Sequence, residues 1–128
     1  MDIEVYNTNI EKETLENTDY RRVVFTGKKI QLVLMSLGPN EEIPKEVHHD
    51  IDQFIRIESG NAIANVAGKS YELKDDDCII IPAETEHQII NSSSGNSLKL
   101  YSIYAEPEHA PGTVHKTKDD ADSAEHHH

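Results

Sequence analysis

Apolar and polar residues alternate along most of this chain in short segments that are typical of β-strands. In residues 53–58, Gln53 shares one face with Ile55 and Ile57, while the intervening side chains point the other way. Segments of similar length recur along the chain, at 23–25, 30–37, 53–58, 62–66, 70–73, 78–81, 88–91 and 98–104. Turn residues separate them. This pattern predicts an all-β fold, either a sandwich or a barrel.

The pattern divides the chain into an N-terminal arm at 1–22, a barrel at 23–105 and a C-terminal tail at 106–128. Within the arm, residues 11–16 are compatible with a short helix or with an irregular segment. The tail is charged and contains few large aliphatic residues, so it can bury little surface by itself. We expect it to lie over the domain or to be disordered.

Several histidines lie in the C-terminal tail. Residues 126–128 resemble the remainder of a purification tag and are excluded from functional argument. His109 and His115 lie in a segment that is expected to close one mouth of the barrel. We do not count either of them as a metal ligand.

Length and composition limit the class of protein. A chain of 128 residues with 36% hydrophobic residues predicts one domain with one core. It contains no apolar run of membrane-spanning length and does not start like a signal peptide. Cys78 is the only cysteine, which suits a reducing compartment, and we predict that it is a small buried side chain. The predicted location is the cytoplasm.

The net charge of −12 argues against nucleic acid as a partner, because binding to the phosphate backbone requires clustered lysine and arginine. It also disfavours long-range attraction of anionic substrates. Arg21, Arg22, Lys45 or Arg56 can still act on an anion at short range. The expected partner is therefore a small molecule, with no membrane and no nucleic acid.

Four side chains that can bind a metal occur at spacings suited to neighbouring strands. In an extended chain Glu46 and His48 share one face, whereas His49 points to the opposite side. Gln53 opens the alternating strand with its side chain inward, and His87 follows a loop that contains a proline. We predict that Glu46, His48, Gln53 and His87 converge on one metal site.

Two motifs in residues 31–104 resemble those of the cupin superfamily, and specifically its small single-domain members. The first motif falls on Asn40, Glu46, His48, Gln53 and Gly60, and the second on Asp76, Pro82, Glu84, His87 and Asn91. Five of these ten positions keep the usual residue, namely His48, Gly60, Pro82, His87 and Asn91. The resemblance implies a double-stranded β-helix, or jelly-roll barrel, with a metal inside. Dimerisation is likewise carried over from small cupins.

The departures from the motifs can be judged physically. Asn40 and Asp76 replace turn glycines, and both residue types tolerate a positive φ. Glu84 replaces a third glycine, so it either changes the loop or points outward. Glu46 stands in place of the usual first histidine and Gln53 in place of the usual glutamate. Both still offer oxygen, so the metal site is rearranged rather than lost.

The predicted ligands supply two nitrogens, one anionic oxygen and one neutral oxygen. This set suits divalent Mn, Fe, Co, Ni, Cu or Zn and does not distinguish among them. If the ion takes five or six ligands, positions remain for water or substrate.

Three functional classes follow from this site. The first is a metal-dependent enzyme acting on a small organic substrate, for which the resemblance allows dioxygenase, isomerase, epimerase or lyase activity. In such an enzyme Glu46 or a nearby tyrosine would be the proton acceptor. The second class is a non-catalytic module that binds a metal or metabolite, and the neutral Gln53 favours it. The third is a metal-free barrel whose inward polar residues hydrogen-bond one another.

Overall fold

The structure is a computed structural model that describes residues 3–125, so the suspected tag residues 126–128 lie outside the described part. Ten strands form two antiparallel sheets that face each other across one core. The first sheet contains six strands and the second contains four. This arrangement confirms the predicted all-β jelly-roll barrel.

Along the chain, the elements are α1 (Ile10–Glu16), β1 (Arg21–Thr26), β2 (Gln31–Leu37), β3 (Glu42–Glu46), β4 (Asp52–Ser59), β5 (Ala62–Val66), β6 (Lys69–Leu73), β7 (Cys78–Ile81), β8 (His87–Asn91), β9 (Leu98–Ala105), β10 (Val114–His115) and α2 (Lys118–Glu125). The strand order is β10-β1-β2-β9-β4-β7 in the first sheet and β3-β8-β5-β6 in the second.

Alternation along the central strands builds the core. On β4, Ile55 and Ile57 are fully buried between the sheets, while Phe54 and Arg56 face outward. Burying one such isoleucine stabilises the fold by roughly 1.5–3 kcal/mol relative to leaving it in water. Gln53 has the same parity as the two isoleucines, so the strand that builds the core also carries this amide into the barrel.

All eight predicted strands are present, with ends that shift by at most a few residues. The sequence patterns missed β3, which is polar and contains Pro44, and also the two-residue strand β10. Both are strands that pair on one side only, at the edge of a sheet. Such strands need no continuous apolar face, which explains why alternation did not reveal them.

The prediction that Cys78 is buried is wrong. Cys78 is exposed at the start of β7, an edge strand, and pairs with Arg56 on the neighbouring strand β4. Ile80, two residues further along, has the same orientation and is 65% exposed. An apolar residue in a strand indicated burial, but the outer face of this edge is open.

Both ends of the described chain pack on the barrel. Residues 10–16 form a helix, and the side chain of Asn9 caps it by accepting a hydrogen bond from the backbone N–H of Lys12 at 2.9 Å. The tail lies over the domain: β10 pairs with β1, and Ala121 of α2 is buried. Among residues 3–125, neither helix has the length and apolarity required to cross a membrane.

Candidate metal centre

Glu46, His48 and His87 converge inside the barrel. Glu46 ends β3 and lies directly opposite His87, the first residue of β8, while His48 follows two residues after Glu46. Each residue offers one ligand atom such that these atoms lie within 4.8 Å of one another. Strand pairing therefore brings one carboxylate and two imidazoles, from separate parts of the sequence, to a common point.

His49 takes no part in this cluster. Its side chain is 77% exposed, and its Nδ1 lies 2.6 Å from a carboxylate oxygen of Glu84. Glu84 has a φ of +68°, and its other oxygen accepts the backbone N–H of Asp50 at 3.0 Å. Glu84 therefore points outward. The positive φ keeps the turn expected where the motif has glycine, and Asn40 and Asp76 also have positive φ values, of 65° and 72°.

Gln53 lies inside the barrel, 2% exposed. Its amide nitrogen donates to the hydroxyl oxygen of Ser102 at 3.2 Å, whereas its oxygen Oε1 has no hydrogen-bond partner among the described residues. Gln53 pairs across the strands with Tyr104, and the ring of Tyr104 contacts that of His48 with centroids 5.6 Å apart. Gln53 therefore lies beside Tyr104, which in turn contacts His48.

Hydrogen bonds set the orientation of the two imidazoles. Nδ1 of His87 lies 3.0 Å from the backbone carbonyl of Thr85, which can only accept, so Nδ1 carries the proton. Nδ1 of His48 lies 3.3 Å from a carboxylate oxygen of Glu108. In both residues Nε2 is buried and has no hydrogen-bond partner among residues 3–125. A carbonyl or carboxylate behind the ring is the usual support of a metal-binding histidine.

Three buried polar atoms thus lack a partner: Nε2 of His48, Nε2 of His87 and Oε1 of Gln53. A buried polar atom without a partner costs free energy, and native proteins rarely leave several of them together. A divalent cation held between Glu46, His48 and His87 would satisfy the two nitrogens. Gln53 lies beside Tyr104, whose ring contacts His48. On this observation the residues present fit the metal that the sequence predicted.

Charges in the site favour a cation. Burial lowers the pKa of His48, but the carboxylates of Glu108 and Glu46 outweigh this effect and raise its pKa to about 9. Burial raises the pKa of Glu46, yet the interactions with His48, Arg21 and His87 leave it below its ordinary value. The pocket therefore stabilises an ionised carboxylate and a positive charge beside it, carried by a proton on His48 when no ion is bound. Coordination through Nε2 requires a neutral imidazole, so a bound ion would replace that proton.

The tail segment 106–115 lies across the mouth of the barrel. Gln31 of β2, fully buried, holds it: its amide oxygen accepts the backbone N–H groups of Glu108 and His109 at 3.1 and 2.9 Å. Its amide nitrogen donates to the carbonyl of His109 at 2.7 Å. The segment thereby places Glu108 on His48 and the ring of His109 against Tyr104, with centroids 5.4 Å apart.

A cavity of about 360 Å³ lies between this segment and the barrel wall, bounded by Arg21, Glu46, Glu108, His109, Ala110, Thr113, His115 and Ala124. Sequence reasoning did not assign Glu108 or Gln31 to the site. Gln31 carried a weak signal, since it is the polar residue of β2 whose parity matches the buried apolar residues Val33 and Met35. No local pattern connects Glu108 with His48, which precedes it by 60 residues in the chain.

Several known proteins are similar to this chain in sequence or in fold. The sequence model of the cupin domain family matches residues 33–104. An uncharacterised protein of Acanthamoeba polyphaga mimivirus is 52% identical, over 87% of this chain and 71% of that protein. The uncharacterised protein YrkC of Bacillus subtilis strain 168 is 48% identical, over 91% of this chain and 66% of its own length.

A crystal structure of a Bacillus halodurans protein, BH2720, superposes with a TM-score of 0.91 at 40% identity. The alignment covers 94% of this chain and 95% of that one. The shared fold therefore extends beyond residues 33–104, and it includes most of the two ends of the chain.

Proposed function

Because this chain belongs to the cupin family, whose barrels commonly bind small molecules, we propose that it is a metal-binding cupin with Glu46, His48, Gln53 and His87 as ligands. One observation carries the proposal. Nε2 of His48 and Nε2 of His87 are buried without hydrogen-bond partners among the described residues, and both histidines form a cluster of possible ligands with Glu46. Oε1 of Gln53, which also lacks a partner there, is the proposed fourth ligand.

The ligand set limits the identity of the ion. Two imidazole nitrogens, a carboxylate and an amide oxygen suit divalent Mn, Fe, Co, Ni, Cu or Zn. Cys78 is exposed on the outside of the barrel and cannot add a thiolate. When bound, such an ion supplies Lewis acidity or oxygen chemistry to a group beside it.

We further propose that the protein is an enzyme acting on a small organic substrate, of the dioxygenase, isomerase or lyase class. The cavity of about 360 Å³ beside Glu46 has the size of a small-molecule site. Glu46, with its pKa held low, can accept a proton from a group in this cavity. Gln31 and the segment that it holds would restrict the access of water.

The alternative function is a non-catalytic module that binds a metal or a metabolite. The neutral Gln53 favours it, because the replacement of an anionic ligand weakens the hold on the ion. If the protein binds metal but turns over no substrate of the three reaction classes, this alternative is favoured. If the protein binds no metal, the inward polar residues have a purely structural role.

Elemental analysis of protein without residues 126–128 tests the proposal. We expect close to one transition-metal ion per chain, either as purified or after reconstitution with Mn, Fe, Co, Ni, Cu and Zn in turn. His48→Ala, prepared in the same way, is the matched control and should lose the metal. If only the form carrying the terminal histidines binds metal, the proposed site does not exist.

We also propose that the chain is a cytoplasmic homodimer. The outer face of the six-stranded sheet carries apolar side chains around a shallow cavity of about 260 Å³, lined by Tyr6, Phe25, Ile30, Leu32 and Ile103. Ile30 is 47% exposed. A second copy of the chain would cover this face. The single, exposed Cys78 is compatible with a reducing compartment.

A further inference from the structure

Arg21 is a buried cation at the mouth of the barrel. It is the first residue of β1 and is only 3% exposed, although arginine is almost never buried without a charged partner. Its neighbour Arg22 on the same strand is exposed, as alternation requires. The strand thus points one guanidinium inward, to the cavity that also borders Glu46.

The contacts of Arg21 leave its charge without a counterion at close range. A terminal nitrogen lies 3.2 Å from Nδ1 of His115, which must be the acceptor because guanidinium only donates. The guanidinium carbon lies 5.5 Å from the centre of the Tyr20 ring. Among the described residues, no carboxylate forms an ion pair with Arg21, and its buried Nε–H has no acceptor.

Such an arrangement is unfavourable in a protein that binds nothing there. Removing a guanidinium from water is costly unless an anion and acceptors replace the water. Glu46 and Glu108 border the same cavity, but their ion pairs among the described residues are with His48 and not with Arg21. A buried cation with a free donor, on the wall of a cavity, is the expected form of a site that an external anion completes.

We propose that Arg21 binds the acid group of the substrate, so that the protein acts on a small organic acid carrying a carboxylate or a phosphate. The acid group would lie against the guanidinium, while the remainder of the molecule extends through the cavity to Glu46. This inference rests on the proposed function, because it assigns the substrate class of the same site.

Electrostatics agree with this placement. His109 borders the same cavity, and burial together with the charge of Arg21 lowers its pKa to about 4, so it is neutral near pH 7. Glu46 borders the cavity as well, so a molecule held by Arg21 would lie next to a predicted metal ligand. The net charge of −12 disfavours the attraction of anions at long range. Selection of an anion therefore requires a cation at short range, and Arg21 provides one.

Calorimetric titration of tag-free protein loaded with Mn²⁺ tests the inference, with pyruvate, its neutral amide pyruvamide and inorganic phosphate as probes. We expect pyruvate or phosphate to bind saturably and pyruvamide to bind at least about tenfold more weakly than pyruvate. Arg21→Gln should weaken anion binding by the same factor, and Arg21→Lys by less. Arg22→Gln removes the same charge from the exposed side of β1 and should change the dissociation constant less than about twofold.

Thermal unfolding of the same variants separates a binding role from a structural one. Arg21→Gln removes a buried charge that lacks a counterion, so its Tm without ligand should equal or exceed that of the parent protein. Added anion should raise the Tm of the parent and of Arg22→Gln, but not that of Arg21→Gln. Whichever of pyruvate and phosphate binds more tightly then shows whether the site prefers a carboxylate or a phosphate.

Two results would overturn the inference: no saturable binding of either anion to the parent protein, or equal loss of binding in the Arg21→Gln and Arg22→Gln variants. Titration of metal-free protein keeps this test separate from the metal proposal. If the chain binds no metal, anion binding that depends on Arg21 can still be measured. If it binds metal but no anion, only the assignment of Arg21 fails.

Discussion

At the scale of single residues, the direction of a side chain determines its chemistry. His48 and His49 are adjacent in the sequence, yet one is 6% exposed inside the barrel and the other forms an ion pair with Glu84 at the surface. Gln53 reaches the interior because it shares the parity of Ile55 and Ile57. Two predictions follow from these positions.

The first prediction compares the adjacent histidines. His48→Ala should reduce metal content to near zero, because it removes a buried nitrogen that the proposed ion requires. His49→Ala is the matched control and should keep most of the metal, since only a solvated pair with Glu84 is lost. Elemental analysis of both variants measures the difference, and equal losses would show that the inward position of His48 does not matter.

The second prediction concerns the neutral ligand. Gln53→Glu adds a negative charge beside the proposed cation, so the dissociation constant for one chosen divalent ion should fall roughly tenfold, equivalent to ~1.4 kcal/mol. Gln53→Leu has similar bulk but cannot coordinate, so it should weaken binding. Metal titration compares these variants with the parent protein. Identical constants would remove Gln53 from the ligand set and leave Glu46, His48 and His87.

At the scale of elements, the segment 106–115 depends on one side chain of β2. Gln31 accepts two backbone N–H groups from this segment and donates to one of its carbonyls. The segment in turn brings Glu108 to His48. Gln31 therefore couples the wall of the barrel to the orientation of a predicted ligand, without contacting a metal itself.

The third prediction tests this coupling. Gln31→Leu should leave the backbone N–H groups of Glu108 and His109 unpaired and reduce the free energy of unfolding by roughly 1–3 kcal/mol. Hydrogen exchange should show faster exchange across residues 106–112. Gln88→Leu, which removes hydrogen bonds to Asn65 and Glu42 on the other sheet, is the control. If the rate of hydrogen exchange across residues 106–112 is unchanged in both variants, Gln31 does not hold the segment.

Asn91 illustrates a motif residue that acts on elements rather than on the site. Its amide nitrogen donates to the carbonyls of Leu37, Gly38 and Asn96, and its oxygen accepts the N–H of Ser93. These bonds tie the end of β8 to the end of β2 and to the loop before β9. His87 lies at the opposite end of β8, so Asn91 stabilises the fold that positions the site.

At the scale of the whole molecule, the two faces of the larger sheet differ in what covers them. The inner face packs against the second sheet, and α1 contacts part of the outer face on β2, β4 and β9. The rest of the outer face carries the apolar side chains around Leu32 and Ile103. A homodimer formed through this face would leave both barrel interiors accessible.

The fourth prediction tests the homodimer. Sedimentation should give twice the mass of the chain for the parent protein. Leu32→Lys should shift it to the monomer, because burying an unpaired ammonium in the interface is unfavourable. Ile63→Lys places the same change on the outer side of the other sheet and should leave the dimer intact. A monomeric parent, or a dimer that persists in Leu32→Lys, would contradict this interface.

The sequence by itself predicted an all-β fold through local periodicity, and its resemblance to cupins implied the jelly-roll barrel. Strand parity and motif spacing together selected the candidate ligands. Alternation over five to eight residues decides which side chains face inward, and it assigned Gln53 to the interior before any partner was known. The motif spacing selected Glu46, His48 and His87 in the same way, because each follows from its position within or beside one strand.

Tertiary structure alone decided what surrounds these residues. Glu108 reaches His48 because Gln31 holds the tail segment across the mouth, and Arg21 faces the cavity because β1 pairs between β2 and β10. These contacts join residues far apart in the chain, and no local period encodes them. Cys78, on the edge strand β7, is a comparable case. Its strand was predictable from the sequence, but its burial depended on whether another element covers that face.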